Sequence, residues 1–426
     1  MSGVNVPSAN SPLADWLDYQ ERLHPRNIEL GLDRVGQVAM RLDLPDVSIP
    51  SLIVAGTNGK GSSATLASLI WREGGYRVGL YTSPHLVRYN ERVSIDGVAA
   101  SDADLVRAFV AIESVRGEVA LTYFEYGTLA ALWLFRERAV QAQVLEVGLG
   151  GRLDAVNLVD GDAALLTSVG LDHLDWLGPD RDSVGREKAH VFRARRPAIC
   201  ADPQPPRSVR AHAREIGAEL AVIGEDFSCV RSARGWDWSR GRVMLRDLPM
   251  PGLGGSAQLR NAAGVIAAIT ALQPRVPVAE SAIRAALPRL ALPGRFERQG
   301  RCVYDVAHNA EAAGVLAERL AENARAGRSR HVHLVLGMLS DKPVEAFCGA
   351  LAPYVRQVYC AGLPPPRGLG PAALGARVRS IGLPVSEFAD VEAALAAALA
   401  AVEQNDEDEV LVTGSFLTVA AARAHG

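Results

Sequence analysis

The stretch that decides the fold is Ser51-Leu-Ile-Val-Ala-Gly-Thr-Asn-Gly-Lys-Gly-Ser-Ser-Ala-Thr65. Residues 52–55 form an apolar run that reads as a buried strand. Small, helix-forming and apolar residues follow from 64 to 71. Between them lies Gly56-Thr-Asn-Gly-Lys-Gly-Ser62. Strand, glycine loop and helix together make a cradle for phosphate. The glycines let backbone N–H groups approach an anion, and the helix N-terminus adds a partial positive charge. Lys60 supplies a full charge, and Ser62 or Ser63 offers a hydroxyl to a magnesium ion. The common phosphate-loop pattern wants an earlier Gly and a Ser or Thr directly after the Lys. Val54 and Gly61 stand at those positions. Taken alone, the stretch also reads as a plain glycine-rich turn.

The neighbouring sequence extends the pattern in both directions. Residues 11–43 read as helical, with Leu13, Trp16, Leu17, Tyr19 and Leu23 as a rough apolar stripe and Ser11-Pro12 as the start. Residues 77–81 form a second short strand leading into Thr82-Ser-Pro-His-Leu86. Residues 92–97 alternate and end in Asp96-Gly97, a strand entering a turn. Helical periods cover 102–113 and 124–138. The strand at 143–147 meets Gly148-Leu-Gly-Gly151, and that at 162–168 ends at Val169-Gly-Leu-Asp-His173. Such alternation implies a largely parallel, doubly wound sheet, which binds ligands at the carboxyl ends of its strands. Glu146, His173 and the phosphate loop are therefore expected to converge.

Residues 198–250 look β-rich and irregular, and 259–272 return to helix. Leu290-Ala-Leu-Pro-Gly-Arg295 reads as a linker. Beyond it, strands are expected at 301–306, 332–337, 355–360 and 409–413, forming a second, smaller α/β unit. The acidic run 404–409 reads as a solvated loop.

A chain of 426 residues is expected to hold two or three domains of roughly 100–200 residues. Its net charge of −3 and pI near 6.3 leave no global basic excess, which argues against a general nucleic-acid binder. Cys200, Cys229, Cys302, Cys348 and Cys360 form no metal-like spacing and read as free thiols of a reducing compartment. No basic residue precedes Arg22 and no long apolar core follows, so no signal peptide is read. The apolar runs 127–135 and 393–402 fall short of the ~20 residues that span a bilayer. A cytoplasmic protein without membrane contact is the expectation.

Three further constellations carry chemistry. Ser83, Glu146 and His173 each stand near a strand end, either sharing a metal or serving separate structural roles; imidazole is an unusual magnesium ligand. Gly185-Arg-Glu-Lys188, preceded by Asp180 and Asp182, reads as a charged helix start. Asp305-Val-Ala-His-Asn309 follows the first strand of the second unit and is either a turn or a site.

Gly56-Thr-Asn-Gly-Lys-Gly-Ser62 is the spelling of the Mur ligase superfamily, ATP-dependent enzymes that join a carboxylate to an amine. The ordered set resembles the folylpolyglutamate synthase family, in the bacterial form that also acts as dihydrofolate synthase. The resemblance runs through Leu13-Ala-Asp-Trp-Leu17, Tyr81-Thr-Ser-Pro-His-Leu-Val87, Thr122-Tyr-Phe-Glu-Tyr-Gly127, Glu146-Val-Gly-Leu-Gly-Gly-Arg-Leu-Asp-Ala155 and Asp172-His173. It continues through Gly185-Arg-Glu-Lys188, Leu292-Pro-Gly-Arg-Phe296, Asp305-Val-Ala-His-Asn309 and Gly337-Met-Leu-Ser-Asp-Lys342, so it covers nearly the whole chain.

The resemblance implies an α/β fold with an N-terminal P-loop-type doubly wound ATPase domain, residues 1–295, and a smaller Rossmann-like glutamate ligase domain, residues 296–426, joined near 290–297. It implies ATP contacts at Thr57, Asn58, Gly59, Lys60, Gly61, Ser62, Asn261, Arg295 and Asp305. Ser83, Glu146 and His173 would bind Mg2+, and Lys188 would be an N6-carboxylysine orienting a second magnesium. Lys60, Lys188 and His308 would be catalytic. Thr122, Tyr123, Phe124 and Glu125, with Leu153, Asp154 and Ala155, resemble a pterin-substrate loop; Ile28, Glu29, Leu30 and Gly31 are weaker candidates for the same pocket. The implied substrates are dihydropteroate, reduced folates, L-glutamate and ATP, the implied state a monomer, and closure of the second domain over the first is expected. The rival readings are another Mur-type ligase, a folylpolyglutamate synthase with that activity alone, and a nucleotide-gated binding protein. The Thr122 segment and Gly61 after the Lys favour the folate branch. Lys60, Glu146, His173, Lys188, Asp305 and His308 argue against a protein without catalysis.

Overall fold

The computed structural model describes residues 5–26, 29–327, 331–403 and 408–424. The chain divides into two compact units. Met1–Gly252 with Gln258–Leu290 form the first, and Leu253–Ala257 with Ala291–Gly426 form the second.

In the first unit Ser51–Ala55 is buried throughout and lies inside an eight-stranded sheet. The order across the sheet is Val98–Ala99, Val93–Ile95, Val78–Tyr81, Ala142–Glu146, Ser51–Ala55, Ala163–Leu166, Pro197–Cys200 and Glu219–Val222. Only the pairings made by Val93–Ile95 are antiparallel. The parallel central strands are apolar without alternation because both faces are covered. Lys60–Glu73 and Tyr123–Glu137 are among the covering helices, and each buries more than half of its residues. A separate antiparallel sheet of Phe227–Ser232, Gly235–Arg240 and Val243–Leu248 turns Trp236 and Trp238 to one buried face. Trp238 Nε1 donates to the Ala263 carbonyl at 3.1 Å, which ties that sheet to the helix Ser256–Ala271.

The second unit is a six-stranded sheet ordered Glu297–Gln299, Cys302–Tyr304, Glu409–Thr413, Val332–Leu336, Val355–Ala361 and Val385–Phe388. Only its first pairing is antiparallel. The α/β class with parallel sheets in both units is as expected from the alternation of strand and helix.

Several details differ from the sequence reading. Residues 11–43 hold two helices, Leu13–Leu23 and Asp33–Arg41. His24 precedes Pro25 and is extended (φ −107°, ψ 133°), because a following proline disfavours the helical conformation. The stretch read as irregular contains the helix Arg207–Ile216, whose buried residues are only Val209 and Ala213. The strands Glu297–Gln299 and Val385–Phe388 lack the apolar run by which the other four strands of the second unit are expected. Part of the acidic run, residues 404–407, lies outside the described residues.

Candidate active site

Four neighbouring strands of the first sheet end on one edge, and each delivers part of the site. Val78–Tyr81 leads to Ser83, Ala142–Glu146 ends in the carboxylate itself, Ser51–Ala55 leads to the phosphate loop, and Ala163–Leu166 leads to residues 167–173. Parallel pairing places Glu146 opposite Val54, beside the start of the loop.

The loop is built for close approach. Gly59 has φ +81° and caps the helix Lys60–Glu73, a left-handed conformation that favours glycine. A Cβ there would lie 2.5 Å from Asn261 Nδ2, so Asn261 is packed directly on the turn. Thr57 N donates to the Ser168 carbonyl (2.9 Å) and Asn58 N to Ser168 Oγ (3.1 Å); Thr167 Oγ1 donates to the Asn58 carbonyl (2.7 Å). Thr167 and Ser168 thus brace the loop from the adjacent strand end. The sequence reading passed over them, although two hydroxyl residues at the end of an apolar run were a usable signal.

Lys60 Nζ donates to the carbonyls of Gly56 (3.0 Å) and Thr57 (3.2 Å). Lys188 lies on the helix Arg181–Ala189, is buried, and donates to the same Gly56 carbonyl at 3.0 Å. Two lysine amines therefore meet at one oxygen, within two hydrogen-bond lengths of each other. Asp180, read as part of a charged helix start, caps this helix by accepting from Ser183 N at 2.8 Å.

Glu146 is buried, and its Oε2 accepts from Ser83 N at 3.1 Å. A carboxylate bonded to the backbone of a serine, which also carries a hydroxyl, offers the oxygen ligands that a hard divalent cation prefers. Among the described residues no three His, Cys, Asp or Glu side chains are arranged as a metal cluster. His173 has φ +53°, its imidazole is 40% exposed, and its Nε2 lies 4.0 Å from Asp172.

Asp154 is buried and holds the loop after Glu146. Its Oδ2 accepts from Gly148 N (3.0 Å) and Leu149 N (2.8 Å), and its Oδ1 from Val156 N (2.9 Å). Burial pushes its carboxyl up to about 6, against the pull of these N–H groups and of Lys60. Thr122 and Glu125 are also buried; they form a capping box on the helix Tyr123–Glu137, Thr122 Oγ1 accepting from Glu125 N (3.3 Å) and Glu125 Oε2 from Thr122 N (2.7 Å). Phe124 packs on Tyr81, with ring centroids 5.9 Å apart. Tyr123 packs edge-on to Tyr89 at 5.4 Å. Gly31 N donates to the Leu153 carbonyl at 3.2 Å, which brings the 29–31 and 153–155 segments together; Ile28 lies outside the described residues. Arg92, not singled out in the sequence, is buried with its guanidinium 5.4 Å from the centroids of both Tyr89 and Tyr123, and donates through Nε to His85 Nδ1 at 2.9 Å.

In the second unit Arg295 and His308 flank Phe416, and both bear on Asp305. Arg295 lies 5.5 Å over the Phe416 ring and the His308 ring centroid 6.4 Å from it. Asp305 accepts from Phe296 N and Ala307 N, both at 2.8 Å. Burial raises its carboxyl above the usual range, and Arg295 and His308 pull the other way. His308 Nδ1 lies 2.9 Å from the Val306 carbonyl and donates its proton to it.

The family model described as the glutamate ligase domain of Mur ligases matches residues 294–416. The dihydrofolate synthase/folylpolyglutamate synthase of Escherichia coli (strain K12) is 44% identical, over 97% of this chain and 96% of its own. That of Haemophilus influenzae is 36% identical over 97% of both. Among solved structures, E. coli FolC in complex with DHPP and ADP superposes with a TM-score of 0.91 at 42% identity, covering 98% of each chain. The bifunctional Yersinia pestis enzyme complexed with AMPPNP and Mn ion gives 0.90 at 43% identity over 99% of each. With such coverage in both sequence and structure, the chain belongs to the dihydrofolate synthase/folylpolyglutamate synthase family of Mur-type ligases.

Proposed function

We propose that this protein is an ATP-dependent amide ligase that adds L-glutamate to dihydropteroate, making dihydrofolate, and to reduced folates, extending their glutamate tails. The observation that carries the reading is the Gly56–Ser62 loop with Lys60, set beside Glu146 and Lys188 on one sheet edge, in a chain whose relatives along its full length bear both activities in their names.

The acceptor carboxylate attacks the γ-phosphate of ATP to form an acyl phosphate, and ADP leaves. The glutamate amine then attacks the acyl carbon and phosphate departs. Bringing a carboxylate to a polyphosphate is opposed by charge. Lys60 and the N-terminus of the helix Lys60–Glu73 offset that repulsion with positive charge fixed in advance. Thr57, Asn58, Gly59, Gly61 and Ser62 line the nucleotide phosphates, and Asn261 lies against the same turn. Ser83 and Glu146, with His173, would hold Mg2+, which would further neutralise charge on the transferring group. Asp154 fixes the backbone after Glu146 and so the direction in which that carboxylate points.

Lys188 is the proposed carboxylysine. Lys188 and Lys60 share the Gly56 carbonyl, so a carbamate on Lys188 would set an anion within reach of the Lys60 amine. On the family resemblance alone, Arg295 and Asp305 are assigned to ATP and His308 to positioning the reacting groups. The acceptor pocket is assigned to the segments at 29–31, 122–125 and 153–155. A monomer in the cytoplasm is proposed on the family resemblance; among the described residues no helix is long and apolar enough to cross a membrane.

The test is phosphate release from ATP with magnesium and L-glutamate, comparing dihydropteroate with tetrahydrofolate and weighing the products by mass spectrometry. One glutamate added to each acceptor is expected. Activity with tetrahydrofolate alone would remove the dihydrofolate synthase half, and activity with neither would overturn the substrate assignment.

A further inference from the structure

Two of the three segments assigned to the acceptor pocket are held together by one side chain that belongs to neither. Arg34 stands in the first turn of the helix Asp33–Arg41. Its Nη1 donates to Glu29 Oε1 (2.8 Å), and its Nη2 donates to the Glu29 carbonyl (2.8 Å) and to Glu125 Oε1 (3.1 Å). Glu125 uses its other oxygen to cap the helix that begins at Tyr123. The second oxygen of Glu29 faces His24 Nε2 at 3.5 Å and Arg26 Nη1 at 3.6 Å. Both carboxylates are therefore already engaged by groups of the protein. The 29–31 segment is in turn joined to 153–155 through Gly31 N and the Leu153 carbonyl.

We infer that Arg34 is a positioning residue for the acceptor acid. Its guanidinium clamps the 29–31 loop to the capped start of the Tyr123–Glu137 helix, and so sets the shape of the pocket without touching the substrate. The inference rests on the pocket assignment made above. The chemistry requires arginine. One planar fork reaches a carboxylate, a carbonyl and a second carboxylate at fixed angles, whereas a lysine ammonium is a point charge that cannot span all three. The clamp also neutralises Glu125, whose side chain is only 4% exposed. None of its bonds reaches the phosphate loop, so loosening it should affect the acceptor and leave ATP alone.

The experiment is steady-state phosphate release by the full chain, with dihydropteroate, tetrahydrofolate and ATP varied in turn, for Arg34→Lys, Glu29→Gln and Phe124→Ala. Thermal unfolding is followed alongside. Arg34→Lys is expected to raise KM for the acceptors about tenfold, to leave KM for ATP within about twofold, and to change kcat less than KM. Glu29→Gln, which turns one charged arm into a neutral hydrogen bond without stranding a buried charge, should move the same parameter by a smaller factor; it carries the test if Arg34→Lys does not fold. Unchanged acceptor KM, or acceptor and ATP constants rising together, overturns the clamp. Phe124→Ala separates the two claims. If it raises acceptor KM while both clamp variants are silent, the pocket stands and the clamp falls; if it is silent, the pocket assignment falls and the clamp with it.

Discussion

Replacing Gly59 by alanine should disable nucleotide use while leaving the fold intact. Two contributions can be worked from the structure. The φ of +81° places an L-residue in the left-handed region, which costs roughly 1–2 kcal/mol. The new Cβ would lie 2.5 Å from Asn261 Nδ2 and 2.9 Å from Oδ1, so the Asn261 amide must turn away and give up its 3.3 Å hydrogen bond to Gln258. That loss is worth about 1 kcal/mol. Together they disfavour the binding-competent loop by about 2–3 kcal/mol. If only that loop conformation binds ATP, affinity falls roughly thirtyfold to somewhat over a hundredfold, at about 1.4 kcal/mol per factor of ten. The assay is ADP titration by calorimetry together with KM for ATP. A double mutant adds the decisive arm. Asn261→Ala removes the obstruction, so Gly59→Ala with Asn261→Ala should be less impaired than the sum of the single variants, by about 1 kcal/mol. Unchanged ATP affinity in Gly59→Ala would refute the claim that this turn is the nucleotide cradle. Strict additivity in the double mutant would refute the contact between Gly59 and Asn261 as the source of the effect.

Lys188→Ala should fold, bind ADP and lose kcat by on the order of a hundredfold, and a short carboxylate added to the buffer should restore part of the rate; full activity would remove the carboxylysine from the mechanism. Asp154 makes a pH-dependent contribution to stability. Its folded carboxyl, pushed up to about 6 by burial, binds a proton more readily than the unfolded one near 4, so its contribution is present at low pH and lost as pH rises through that window. Asp154→Asn removes this titration, and its unfolding free energy relative to wild type should improve by up to about 3 kcal/mol from pH 4 to pH 7; a pH-independent difference would refute the buried-charge account.

Local features announced much of this molecule. The apolar run 52–55, the glycines at 56, 59 and 61, and the strand ends at Glu146 and near Ser168 are short-range patterns, and both the parallel sheet and the phosphate loop follow from them. The helix Arg207–Ile216 escaped because two buried residues, Val209 and Ala213, leave almost no apolar stripe to see. The break between Leu23 and Asp33 was legible at His24-Pro25, yet the apolar residues on either side read as one continuous helix.

The sequence by itself determined the class of chemistry, because phosphate cradles, strand ends and helix caps are written in contiguous residues and need no distant partner. The tertiary structure alone decided which charges meet. That Lys60 and Lys188 converge on the Gly56 carbonyl, that Arg34 joins Glu29 to Glu125, and that Thr167 and Ser168 brace Thr57 and Asn58 are contacts made across strands and helices far apart in the chain. Their geometry comes from the order of strands in the sheet. No local pattern encodes that order, since it is set by how the buried faces of separate elements pack together.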